Sequence, residues 1–80
     1  MNNINHALAL RIEELLKEKG ITRYRLAMNS GLTHSTIKNI MHETIRDSLL
    51  STTILIAAGF DMTVSDFLDS PLFFEENLNI

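Results

Sequence analysis

The chain has 80 residues, 45% of them hydrophobic, a formal net charge of −3 and no Cys. A single domain of this size buries about 60–65% of its unfolded surface. Without cysteines, neither disulfides nor thiolate-bound zinc can staple it, so stability must come from apolar packing.

The opening "MNNINHALALRIEELL" has no basic segment ahead of an apolar one, so no secretory signal is expected. Within it, Leu8, Ile12, Leu15 and Leu16 fall at i, i+4, i+7 and i+8, one stripe of a helix. Glu13, Glu14, Lys17 and Glu18 take the other faces, and Gly20 supplies the stop. Helix one is predicted over residues 5–19.

Thr22 is the N-cap of a short second helix, residues 23–30, which buries Leu26 and Ala27. Gly31 permits a left-handed turn that an L-residue resists. Thr33 then caps a third helix whose inward residues are Ile37, Ile40 and Met41. At about 100° per residue, Ser35 and Asn39 lie opposite that core, flanked by Lys38 and His42. Helix three thus shows solvent a strip of hydrogen-bonding side chains.

"HETIRDSLLS" reads as a loop. The most apolar run, "LLSTTILIAAGF", has twelve residues, against about 20 needed to cross a bilayer. Three hydroxyl residues interrupt it, and it reads as a core helix over residues 51–60 of a soluble, cytoplasmic protein. Asp61 ends that helix in a left-handed turn. Thr63 and Asp66 stand at capping-box spacing ahead of a fifth helix, residues 64–68, which Ser70-Pro71 breaks. No stretch alternates apolar and polar residues over a long run, and no internal repeat appears. The expected architecture is all-α, a compact bundle of five short helices over residues 1–70. A tail, residues 71–80, carries Leu72, Phe73, Phe74, Leu78 and Ile80; it either packs on helix one or lines a dimer interface.

The segment "GITRYRLAMNSGLTHSTIKNI" places Leu26-Ala27, Gly31, Thr33 and Ile37 at the spacing of a helix-turn-helix, and "FDMTVSDFL" follows in the right order. Together they resemble the lambda-repressor-like domain of phage repressors and Cro proteins, the Xre-type regulators. The likeness covers about three quarters of the chain. It departs in three places. Arg25 stands where the family often has an acid; Met41 and Glu43 replace a frequent Glu and Gly; Asp61 replaces a common Gly.

The resemblance implies a transcriptional regulator, expected to be a repressor, that binds double-stranded DNA with helix three in the major groove. His34, Ser35, Lys38 and Asn39 match base-contacting positions. Arg23, and with it Arg25 and Thr33, match the phosphate-contacting edge. Each also has a plainer role: solvated side chains for the first six, a helix cap for Thr33. A dimer would suit a pseudo-palindromic operator with half-sites about 34 Å apart.

Charge adds to this picture. Residues 1–46 hold all seven Lys and Arg against four acids, or +3, and residues 47–80 hold six acids and no base, or −6. Cations in the first turn of a helix oppose its dipole at a cost of about 0.3–1 kcal/mol each, and a phosphate near Arg23 and Arg25 would reverse the sign. A protonated His34 would bind more tightly as the pH falls. Tyr24 either touches the DNA backbone or packs on helix one.

No HExxH, glycine-rich phosphate loop or Ser-His-Asp grouping is present, so no enzyme, cofactor or small-molecule substrate is expected. His34 and His42 are eight residues apart, too far to share a metal ion. The rival reading is a protein-interaction module of helix-turn-helix shape, such as an antitoxin-like or accessory factor. Its acidic charge favours that reading; the polar strip of helix three, lacking apolar anchors, speaks against it.

Overall fold

The computed structural model describes residues 3–44 and 50–79. Five α-helices run α1 Ile4–Lys19, α2 Arg23–Ser30, α3 His34–Met41, α4 Leu50–Gly59 and α5 Val64–Leu68, followed by 3-10 turns at Pro71–Phe73 and Glu75–Asn77. The predicted α2 and α5 have these bounds, and α4 is shifted one residue towards the N-terminus. Of the loop expected over residues 42–51, residues 45–49 lie outside the described residues, as does Ile80, while Leu50 and Ser51 belong to α4 instead.

Side-chain caps define the helix starts. Asn3, Thr22, Thr33 and Thr63 accept hydrogen bonds from the backbone N–H groups of His6, Arg25, Thr36 and Asp66. Each satisfies a donor that the first turn leaves orphaned, worth about 1 kcal/mol. At the other end, Gly20 turns left-handed with φ 66° and its N–H closes on the Leu16 carbonyl.

One core joins all five helices. Leu8, Ile12 and Leu15 of α1 meet Leu26 and Ala27 of α2, Ile37 and Ile40 of α3, Ile56 and Ala57 of α4, and Phe60 and Phe67. Each large side chain so buried contributes about 1.5–3 kcal/mol. Gly59 lets α4 close on α2, because a Cβ there would sit 2.9 Å from Leu26 Cδ1 and 3.2 Å from the Ser30 backbone nitrogen.

Among the described residues Arg11 is the one charged side chain that is buried, 8% exposed. Its Nε donates to the Phe67 carbonyl at 2.7 Å and its Nη2 to the Asp66 carbonyl at 3.1 Å, while Nη1 pairs with Glu14. The guanidinium also lies 5.9 Å from the centre of the Phe67 ring.

Glu43 and Asp61 both have φ 59°. These are the two positions at which the resembled family often carries glycine. The left-handed turns are therefore retained while the residue that adopts them most readily is not. Asp61 behaves as the sequence predicts. Glu43 also reaches back to α1, where its carboxylate lies 2.9 Å from His6 Nδ1.

The tail turns back onto α1. Ser70 caps the first 3-10 turn, the Phe73 ring sits 6.1 Å from that of Phe67, and Leu78 is buried. Phe74 points outward. No described helix is long and apolar enough to cross a membrane.

Candidate nucleic-acid interface

The turn between α2 and α3 is built from three local features. Gly31 takes φ 77°, Ser30 Oγ donates to the Ala27 carbonyl at 3.1 Å and accepts from Leu32 N–H at 3.3 Å, and Thr33 opens α3. Ser30 is buried, so a third α2 residue joins the inward Leu26 and Ala27. With Ile37 and Ile40 facing the core, the orientation of α3 about its own axis is settled, and the opposite side must face water.

His34, Ser35, Lys38 and Asn39 are all exposed on that side, and so is His42. On a helix, residues three and four apart are neighbours, so His34 adjoins Lys38, and Ser35 adjoins both Lys38 and Asn39. Among the described residues, none of these four side chains is held by a hydrogen bond or an ion pair. The backbone carbonyl of Asn39 accepts from Thr44 N–H at 3.0 Å and Thr44 Oγ1 at 3.1 Å. Its side-chain amide has no partner among the described residues.

Thr33 differs. Its Oγ1 accepts from Thr36 N–H at 3.1 Å and lies 2.9 Å from Thr36 Oγ1, so capping occupies it. Arg23 and Arg25 project from the first turn of α2, exposed and without a carboxylate partner among the described residues. No carboxylate among the described residues offsets their repulsion from the helix dipole.

The start of α2 comes alongside the start of α3. The rings of Tyr24 and His34 lie 6.4 Å apart, tilted by 48°. Tyr24 is 64% exposed, which corrects the alternative that it packs on helix one. Its position off the stripe of Leu26, Ala27 and Ser30 explains why. Tyr24 is thereby brought beside His34, joining the start of α2 to the start of α3.

The cationic count of that surface is lower than the sequence suggests. Arg11 is buried and Lys17 faces Glu13 at 3.6 Å, which leaves Lys19, Arg23, Arg25 and Lys38 unpaired among the described residues. Arg11 was the residue that sequence reasoning passed over. Its signal was present: it falls three after Leu8 and four before Leu15, on the apolar stripe itself.

A model of the Cro/C1-type HTH DNA-binding domain matches residues 11–71, 61 of the 80. Comparison with curated proteins returns no match.

Proposed function

The chain belongs to the Cro/C1-type HTH DNA-binding domain family, and from that premise we propose that it is a sequence-specific transcriptional repressor that lays α3 in the major groove. Membership makes it a DNA-binding regulator in a family of non-enzymatic domains. The observation that carries the finer reading is the exposed strip of His34, Ser35, Lys38 and Asn39 on the side of α3 away from Ile37 and Ile40, free of hydrogen bonds and ion pairs among the described residues.

In this reading Asn39 pairs with an adenine edge, worth about 1–3 kcal/mol of discrimination. Ser35 and His34 meet neighbouring bases, and Lys38 reaches a guanine or a phosphate. Arg23 and Arg25 hold the backbone, and Thr33 chiefly caps the helix. The protein acts as a homodimer on a pseudo-palindrome; the outward Leu50, Ile54 and Leu55 of α4 support this, being apolar and exposed.

Selection from a random duplex library tests the proposal. The expected result is an enriched two-fold symmetric sequence, with sedimentation giving twice the monomer mass on that duplex. Equal, weak retention of every sequence would instead point to a protein partner.

A further inference from the structure

We propose that Tyr24 is a second-helix positioning residue for DNA recognition, its hydroxyl taking a backbone phosphate while its ring holds the His34 imidazole towards the bases. This rests on the reading of α3 given above.

Four observations support it. Tyr24 is the only tyrosine in the chain, and it is left 64% exposed on a domain whose other aromatic rings are phenylalanines. Its ring lies beside that of His34, at a separation typical of aromatic pairs. Its hydroxyl has no hydrogen-bond partner among the described residues. Arg23 and Arg25 precede and follow it in the same exposed first turn, neither with a carboxylate partner among the described residues, so a polyanion is drawn to this end of α2.

The geometry divides the work. In this docking arrangement the helix before the reading helix crosses the DNA backbone, which sets the hydroxyl against phosphate rather than base edges. Phosphate contacts position a protein without reading sequence. The ring does something else. An exposed imidazole at the first position of α3 has several rotamers, and a tyrosine ring beside it removes some of them before DNA arrives. Less ordering then remains to be done on binding. Tyr24 therefore affects specificity only through His34.

The test uses the enriched duplex and its single-base variants, with Tyr24→Phe, Tyr24→Ala, His34→Ala and the Tyr24→Ala/His34→Ala double variant of the full chain. Tyr24→Phe keeps the ring and loses the hydroxyl. It should weaken all duplexes alike by roughly tenfold, the size of a hydrogen bond to a charged group, and leave their ranking unchanged. Tyr24→Ala should also flatten the preference at one base pair by about two- to tenfold, the scale of an aromatic pair. That base pair should be the one His34→Ala flattens, and the double variant should flatten it no further.

Loss of preference at a different base pair, or additive losses in the double variant, would overturn the idea, as would full affinity in Tyr24→Phe. Should Tyr24→Ala melt early, Tyr24→Phe and His34→Ala still decide. A wild-type chain that enriches no duplex removes the α3 reading itself. An enriched duplex indifferent to Tyr24 removes this proposal alone.

Discussion

Arg11 ties the first helix to the last, its Nε donating to the Phe67 carbonyl at 2.7 Å while Nη2 takes the neighbouring Asp66 carbonyl. Both carbonyls belong to the final turn of a five-residue helix; the Asp66 carbonyl also accepts from Asp69 N–H at 3.2 Å, whereas the residue four beyond Phe67 is Pro71, which has no N–H to offer. A cation at that end also meets the negative pole of the helix dipole.

Replacing Arg11 with Met keeps the apolar stem and leaves the buried Phe67 carbonyl without its donor. The expected cost is about 2–4 kcal/mol. For a domain this small, that lowers Tm by roughly 10–25 °C. Arg11→Lys, with a point charge in place of the planar fork, should recover only part of the loss. A melting curve for Arg11→Met that overlays the wild type would refute the assignment.

Gly59 supplies a sharper steric test. Alanine is the better helix former by about 1 kcal/mol, so on propensity alone Gly59→Ala would stabilise α4. The added Cβ, however, would lie 2.9 Å from Leu26 Cδ1, 3.0 Å from Ser30 Cβ and 3.2 Å from the Ser30 nitrogen. The Leu26 methyl can swing aside, but the Ser30 backbone cannot. Net destabilisation of about 1–2 kcal/mol is expected from the overpacking, read as a lower denaturant midpoint. A higher midpoint would show that α2 and α4 separate freely.

At Asp61 the expected sign is opposite. Its φ of 59° is a conformation that glycine adopts without strain. Asp61→Gly should therefore raise stability by roughly 0.5–1 kcal/mol, despite the greater conformational entropy that glycine loses on folding. Glu43 shares the same φ but also faces His6, so Glu43→Gly gains at the backbone and loses the His6 contact. Thermal denaturation of the two glycine variants side by side separates these contributions. Equal gains would mean that the His6 contact contributes nothing.

Two neighbours on α3 should behave differently on the enriched duplex. Lys38→Ala removes a cation, which should weaken all sequences and shallow the plot of log K against log salt by about 0.9 if the contact is to phosphate. Asn39→Ala leaves that slope alone and should cost about 1–3 kcal/mol only where the matching base pair is present. Filter binding across a salt series measures both. Identical behaviour of the two variants would contradict the proposed division between backbone and base contacts.

Much of this was legible in the sequence, and for local reasons. Thr22, Thr33 and Thr63 mark helix starts because a threonine oxygen can reach an N–H three residues on, and Gly31 marks a turn because of its backbone freedom. These signals sit within a few residues, so α2 and α5 were placed to the residue. The inward faces of α1 and α3 followed from periodicity. What escaped notice depended on elements far apart in the chain. Arg11 reads as one more surface cation until α5, 55 residues later, brings carbonyls to it. The close approach at Gly59 likewise exists only once Ser30 is opposite. Tyr24 was left between two surroundings because its helix alone cannot say where the next one begins. The family's frequent glycines at positions 43 and 61 proved a guide to backbone conformation rather than to residue identity.

The shortage of unpaired cations has a kinetic side. With only Lys19, Arg23, Arg25 and Lys38 free of carboxylates among the described residues, bystander duplex is a poor trap. Proteins that cling everywhere scan a chromosome by sliding along it; this one would arrive mostly through repeated short collisions out of bulk solvent. Its search would be limited by how many copies the cell makes, and little of that supply would be titrated away by the rest of the genome.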